Sequence, residues 1–125
     1  MIVGFGLDVV ETARIARILA EHGRQFRERV FTPAELADCR DRRDEAQALA
    51  ARFAAKEACL KALGTGWRRG FTFRDVEVVR SDGGAPAIRL AGGAAARASA
   101  RGVRAVHVSL THERGLAAAA VILEA

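Results

Sequence analysis

The chain has 125 residues, of which 50% are hydrophobic, and this length and composition are typical of one domain with a compact core. Lys and Arg number 20 against 15 Asp and Glu, so the net charge of +5 favours an anionic partner. Two cysteines are too few for a disulfide scaffold, and no apolar run approaches the roughly 18 residues of a membrane span. We expect residues 1–125 to form a single domain of a cytoplasmic protein, with no membrane partner.

The first predicted element is a strand over residues 2–10. Its odd positions are bulky, whereas its even positions carry Gly4, Gly6 and Asp8. Glycines inside a strand mark the close approach of another backbone or a ligand. Asp8 therefore lies on a packed face, either as a ligand for a cation or as a strand-end residue that caps the next helix.

Two helices and a charged segment are predicted next. Ile15, Ile18 and Leu19 recur at helical spacing and predict a helix over about residues 12–22. The segment 32–35 (Thr-Pro-Ala-Glu) combines a capping box with a proline at the first helical position, so a short helix should start there. The dense charges of residues 38–45 are typical of a solvated helix end or loop.

A longer helix is predicted from about Glu45 to Leu63, and Gly64 is its stop signal. Glu57 lies on or beside the apolar stripe of this helix. A buried unpaired charge is costly, so Glu57 needs a partner. That partner is Lys61 one turn later, an arginine from elsewhere or a metal ion.

The remaining elements are predicted to be strands and one helix. Strands over 73–79 and 87–90 are joined by a glycine-rich turn, an alanine-rich helix covers 94–101, and strands over 103–110 and 116–123 end the chain. His107 and Ser109 would share one strand face. This order predicts an α+β fold in which an antiparallel sheet packs against helices.

Two acids and a glycine triplet are the candidate chemical groups. If Asp8 and Glu57 converge, they suit Mg²⁺, which takes one or two carboxylates and completes its shell with water and substrate phosphates. The triplet Gly64-Thr65-Gly66 could hold a pyrophosphate through backbone N–H groups, or it could simply end the helix. No nucleophile triad or transition-metal site is indicated.

Three sequence blocks together resemble the holo-[acyl-carrier-protein] synthase family of 4'-phosphopantetheinyl transferases. They are residues 4–15 (Gly-Phe-Gly-Leu-Asp-Val-Val-Glu and the following Arg14-Ile15), residues 52–66 (Arg-Phe-Ala-Ala-Lys-Glu-Ala through Gly-Thr-Gly) and residues 107–112 (His-Val-Ser-Leu-Thr-His). The resemblance implies the α+β transferase fold and a homotrimer with active sites between subunits. It also implies transfer of 4'-phosphopantetheine from coenzyme A to a serine of an acyl carrier protein, with release of adenosine 3',5'-bisphosphate. Fatty-acid biosynthesis is the expected setting, and polyketide carriers are the alternative.

The resemblance also implies residue roles. Asp8 and Glu57 match the magnesium-binding acids, and Glu57 and Lys61 match residues beside the transferring phosphate. The residues implied to bind coenzyme A are Arg42, Arg43, Arg52, Gly64, Thr65, Gly66 and His107. Those implied to contact the acidic carrier protein are Arg14, Arg17 and Arg24. The proton of the attacking serine could pass to Glu57, His112 or Glu113.

Two other functions compete with this interpretation. A nucleic-acid-binding module needs clustered basic residues with stacking aromatics, but Tyr is absent and Trp67 is the single tryptophan, so we expect no nucleic-acid partner. A non-catalytic trimer of the same fold would have little reason to keep both acids and Lys61. Thermal melting with coenzyme A and Mg²⁺ distinguishes an inert trimer from an enzyme.

Overall fold

A computed structural model describes residues 1–40, 42–65 and 70–125. Strands β1, β5 and β4 form an antiparallel sheet in that order, and β2 and β3 form a separate antiparallel hairpin. The fold is α+β, as predicted. In chain order the elements are β1 (Ile2–Glu11), α1 (Thr12–Val30), α2 (Pro33–Arg40), α3 (Glu45–Leu63), a 3-10 turn (Phe73–Asp75), β2 (Val76–Arg80), β3 (Pro86–Leu90), α4 (Gly92–Ala100), β4 (Ala105–Glu113) and β5 (Leu116–Glu124).

Helix α3 lies at the centre of the core, and the inner face of the three-stranded sheet packs against it. A Cβ atom on Gly6 would lie 1.8 Å from the carbonyl oxygen of Ala58, and one on Gly4 would lie 2.3 Å from that of Ala62. Real Cβ atoms do not come this close to other atoms, so only glycine permits the contact between β1 and α3. The predicted close approach of another backbone is confirmed.

The predicted bounds of α3 are also confirmed, and both ends are capped. Asp44 accepts a hydrogen bond from the Gln47 amide at 3.0 Å, and Gly64 ends the helix with a φ of 74°. Arg97 on α4 and Arg101 just after it donate to carbonyl oxygens in the last turn, those of Leu63 and Ala62. Cations at this end of a helix also offset its dipole.

The predicted capping box at the start of α2 is confirmed, and its acid has a second function. The Thr32 amide donates to Glu35 at 2.9 Å, and the Glu35 amide donates to the Thr32 hydroxyl at 3.2 Å. The fully buried Lys56 ammonium donates to the same carboxylate at 2.7 Å, as does the Val78 amide at 2.9 Å. Burial lowers the pKa of Lys56. One carboxylate therefore joins α2, α3 and β2.

Helix α1 differs from its prediction. The expected end near residue 22 is a kink, where His22 has φ −138° and ψ 36°, and helical structure resumes as far as Val30. Residue 23 is a glycine, a weak helix former, and this explains why the periodicity ends early. Phe26, in the part that was missed, packs edge-on against Phe31 with ring centroids 5.7 Å apart.

Two strand predictions were also wrong at their ends. Residues 73–75 form a 3-10 turn instead of the start of β2, because Thr72 and Asp75 form a capping box there. Strand β4 continues to Glu113 because Arg114 and Gly115 both take positive φ values, 48° and 79°. Two such residues allow a tight two-residue hairpin turn.

Several large apolar side chains project from the outer face of the three-stranded sheet. Phe5, Leu7 and Val9 are 60%, 55% and 58% exposed, and on β5 they face Ile122, Ala120 and Ala118. Contiguous apolar patches of this kind mark interaction surfaces. Among the described residues, no helix combines the length and hydropathy required to span a membrane.

Both cysteines are free and buried. Burial raises the pKa of Cys39 to about 11 and that of Cys59 to about 12. They are therefore unreactive thiols at neutral pH.

Candidate active site

Asp8 lies where β1 passes the middle of α3. Gly4 meets Ala62 and Gly6 meets Ala58, so the strand and the helix run in opposite directions. Two residues of a strand span about 6.7 Å, and four residues of a helix span about 6 Å. Every second residue of β1 therefore meets α3 about one helical turn further along. Asp8 is the next inward position, and this brings it beside the turn of α3 that contains Glu57.

Lys61 completes this group of charges. Its ammonium donates to Asp8 Oδ1 at 3.0 Å and to the Leu7 carbonyl oxygen at 3.1 Å. The Asp8 side chain is 16% exposed and that of Lys61 53% exposed, so the pair lies at the edge of the core. Glu57 is half-buried one turn before Lys61 on the same helix. Asp8 and Lys61 are therefore in contact, and Glu57 is one helical turn before Lys61 on α3.

The donor set fits Mg²⁺. Within residues 1–40, 42–65 and 70–125, no group of three or more His, Cys, Asp or Glu side chains could hold a metal ion. Zinc sites need three or four such ligands, whereas Mg²⁺ needs only one or two carboxylates because waters and phosphates supply the rest. Asp8 and Glu57 therefore supply enough carboxylates for Mg²⁺ but too few ligands for zinc.

A cavity of about 460 Å³ lies beside the first half of α3. Its polar lining is mainly arginine, and Arg42, Arg43 and Arg52, which were predicted to bind coenzyme A, all contribute. The full lining is Arg42, Arg43, Asp44, Gln47, Ala48, Ala51, Arg52, Val78, Val79, Arg80, Gly84, Pro86, Leu110 and His112. The cavity is therefore suited to an anion.

Two residues that line the cavity, Arg80 and His112, were not among those predicted to bind coenzyme A. Arg80 lies at the end of β2 and His112 near the end of β4, and neither stands in a basic cluster along the chain. The alternation of β4 places His112 on the inner face with Leu110, opposite to His107. The alternation of side chains along β4 was therefore the sequence signal that could have placed His112 on the inner face.

The cavity and Asp8 lie on the same side of the sheet. Asp8 on β1 and Leu110 on β4 both pair with Ala119 of the strand between them. Adjacent strands are 4.7–4.9 Å apart, so the cavity wall at Leu110 is about 10 Å from the Asp8 backbone. Along α3, Arg52 and Lys61 are about 14 Å apart at 1.5 Å per residue. One elongated ligand can therefore reach both the arginines and the acidic pair.

Gly64 and Thr65, the first two residues of the glycine triplet, end helix α3. The amides of Gly64 and Thr65 donate to the carbonyl oxygens of Lys61 and Leu60 at 3.0 and 3.2 Å. These two amides are therefore used by the end of α3. Gly66 lies outside the described residues, and the role of the triplet in binding the cofactor stays a prediction.

His107 lies apart from the cavity, on the exposed outer face of the sheet. Its Nε2 is 3.0 Å from Glu124 Oε1, and this hydrogen bond holds the pKa of Glu124 below its usual value. As predicted, Ser109 shares its strand face. His107 does not line the arginine cavity of this chain, and its contact with the cofactor stays a prediction.

The three arginines predicted to contact the carrier protein are exposed on α1. Arg14 and Arg17 are three residues apart and therefore share one face. Arg24 lies beyond the kink and pairs with Glu28 at 3.1 Å, where both side chains are well exposed. Exposed pairs of this kind are weak, so Arg24 remains available to an acidic partner.

Comparison with known proteins identifies the family. Residues 4–121 match the family model described as the 4'-phosphopantetheinyl transferase superfamily. A holo-[acyl-carrier-protein] synthase of Anaeromyxobacter dehalogenans strain 2CP-1 is 55% identical over 127 residues, covering 99% of this chain and 97% of that protein. One from Methylobacterium sp. strain 4-46 is 53% identical and covers 100% and 96%.

Solved structures agree with these matches. The Neisseria meningitidis holo-[acyl-carrier-protein] synthase superposes with a TM-score of 0.90 at 34% identity, covering all of both chains. The Helicobacter pylori holo-[acyl-carrier-protein] synthase, solved in complex with coenzyme A, gives 0.85 at 31% identity, covering 96% of this chain and 99% of that one.

The chain belongs to the 4'-phosphopantetheinyl transferase superfamily. Its activity within that family is holo-[acyl-carrier-protein] synthesis, in which 4'-phosphopantetheine passes from coenzyme A to a serine of the apo carrier protein.

Proposed function

We propose that Asp8 and Glu57 hold the Mg²⁺ ion of this reaction. The observations that support the proposal are the contacts of Gly4 and Gly6 with α3 and the ion pair of Lys61 with Asp8, because Glu57 is one helical turn before Lys61. A bound Mg²⁺ ion would neutralise charge on the diphosphate of coenzyme A. Side chains of this chain bind the nucleotide and stabilise the transferring phosphate, and the serine of the carrier protein is the nucleophile.

Lys61 stabilises the transferring phosphate. The serine oxygen of the carrier forms a bond to the phosphorus that bears pantetheine, and the bond from that phosphorus to adenosine 3',5'-bisphosphate breaks. Negative charge on the phosphoryl oxygens is then offset by the Lys61 ammonium, which is half exposed and free to turn from Asp8 toward substrate. The serine proton goes to a base, for which Glu57, His112 and Glu113 are the candidates.

The arginine cavity holds the nucleotide half of coenzyme A. Arg42, Arg43 and Arg52 line it, and its distance of about 10 Å from Asp8 suits a ligand whose diphosphate reaches the acidic pair. The exposed Arg14, Arg17 and Arg24 of α1 then meet the acidic surface of the acyl carrier protein.

The active form is a homotrimer assembled through the outer face of the sheet. Phe5, Leu7 and Val9 form an exposed apolar row there, and burying it would remove a large unfavourable contact with water. Such an assembly would also bring His107 next to another subunit. Light scattering should give three times the chain mass of 13.4 kDa, and a mass of 13.4 kDa would contradict the trimer.

The chain works as one catalytic domain in the cytoplasm, where its carrier protein takes part in fatty-acid biosynthesis. Two buried free thiols are consistent with a reducing compartment.

Thermal melting tests the ligand sites together. Coenzyme A with Mg²⁺ at about 100 times the dissociation constant should stabilise the protein by about 2.7 kcal/mol. Asp8→Asn should reduce the part of the stabilisation that requires Mg²⁺ and leave the part that coenzyme A gives alone. A melting temperature that ignores both ligands would refute the proposed sites.

A further inference from the structure

Asp38 on α2 gathers three arginines from different parts of the fold. Arg52 on α3 donates to its Oδ2 atom, and Arg80 on β2 donates to the same oxygen at 3.2 Å. The Nη2 atom of Arg42 is 3.8 Å from that oxygen, and its Nε donates to the Asp38 main-chain oxygen at 3.4 Å. A single carboxylate thus connects two helices, a strand and the segment after α2.

The three arginines line the 460 Å³ cavity, whereas Asp38 does not. The carboxylate therefore contacts the three arginines without lining the cavity itself. Arg52 is only 5% exposed, and its buried Nε has no hydrogen-bond partner. A buried donor without a partner is costly, and an anion in the cavity would supply Arg52 with a further acceptor.

Formal charges point to the kind of acceptor. Four arginines line the cavity. Asp44 in its wall and Asp38 in contact with three of the arginines supply two carboxylates, so these groups carry an excess of two positive charges. A phosphate monoester carries about −1.5 to −2 at neutral pH, and a diphosphate bridge carries about −2 in all, so the excess charge suits either group. The proposed function puts the diphosphate at Asp8 and Glu57, about 10 Å away, which leaves the phosphate monoester for the cavity.

We propose that Asp38 is a positioning residue that holds Arg42, Arg52 and Arg80 together to bind the phosphate monoester on the ribose of coenzyme A. This proposal rests on the proposed function, which puts the nucleotide in the cavity. Guanidinium groups repel one another, and their long side chains lose entropy when they are fixed. Asp38 offsets that repulsion before substrate binds, and the substrate phosphate meets aligned donors.

The test compares coenzyme A with dephospho-coenzyme A, which lacks that phosphate, in the transfer reaction. Asp38→Asn should raise KM for coenzyme A about tenfold, with little change in kcat. KM for dephospho-coenzyme A should stay the same. Arg80→Gln, at a side chain that is 43% exposed, should give the same selective loss at about threefold, and it guards against a folding defect in the first variant.

Asp82→Asn is the matched control, because Asp82 is exposed in the β2–β3 turn and the variant loses the same charge. It should leave both KM values unchanged. Equal changes for both substrates in Asp38→Asn, no change for either, or tighter binding of coenzyme A would overturn the role of Asp38. If the wild type uses both substrates equally well, the placement of the nucleotide fails and the role of Asp38 fails with it. Failure to use either substrate would instead overturn the activity.

Discussion

Replacing Gly6 by alanine should separate β1 from α3 and disturb the active site from a distance. The new Cβ would lie 1.8 Å from the Ala58 carbonyl oxygen, and real Cβ atoms stay at least 3.0 Å from such atoms. The obstacle is backbone, so it cannot turn aside, and the strand must retreat by about 1.2 Å. Overpacking of this kind costs about 1–3 kcal/mol of stability.

The same displacement moves Asp8, which is two residues along the strand on the same face. A misplacement of about 1 Å at a catalytic group can lower the rate about 100-fold. We therefore expect Gly6→Ala to lose both stability and transfer activity. Urea unfolding at fixed protein concentration measures the first, and mass spectrometry of the carrier protein measures the second.

Gly83→Ala is the matched control for this substitution. A Cβ atom there has nothing within 4 Å, and its φ lies outside the positive region, so the variant should behave as wild type. If Gly6→Ala were as stable and as active as Gly83→Ala, the close packing of β1 on α3 would not be what positions Asp8.

Three further predictions concern other charges. Asp8→Ala and Glu57→Ala should each lower transfer about 1000-fold, and the double variant should be little worse, because both acids serve one ion. Arg14→Ala should raise KM for the carrier protein about fivefold while KM for coenzyme A stays unchanged, and the effect should shrink in high salt. Lys56→Met should lower the free energy of unfolding by about 3–5 kcal/mol, because Glu35 would be left buried and unpaired.

Each of these has an outcome that contradicts it. Fully additive losses in the double variant would mean that Asp8 and Glu57 act separately. An equal rise in both KM values for Arg14→Ala would remove that residue from the carrier surface. If adding Glu35→Gln to Lys56→Met brought no recovery of stability, the cost would not come from an unpaired carboxylate.

The parts of the fold that were predicted correctly are determined by residues close together in the sequence. Both ends of helix α3 were predicted because apolar residues recur at helical spacing along it and Gly64 is a local stop signal. Gly4 and Gly6 predicted the close backbone contact because no other residue permits it. The end of α1 was missed because local periodicity stops at the kink, whereas the helix after it is held by tertiary packing of residues such as Phe26.

The charged contacts could not be predicted in the same way. Asp8 and Glu57 were recognised as anomalies because each carboxylate lies on a packed face, which is a local property. The partner of a charged side chain, however, depends on how distant segments fold together. Asp38 and Arg80 are 42 residues apart in sequence, and nothing near either position predicts their pairing. Glu35 looked like a simple cap, although its carboxylate also binds the buried Lys56.

Incubation with apo acyl carrier protein and coenzyme A, with Mg²⁺ or with chelator, tests the central claim most directly. Intact-mass spectrometry should show the carrier gaining one phosphopantetheine group in Mg²⁺, no gain in chelator, and recovery when excess Mg²⁺ is restored. Asp8→Ala should show no gain under any of these conditions. A gain that persists in chelator, or that Asp8→Ala retains, would contradict a magnesium site at Asp8 and Glu57.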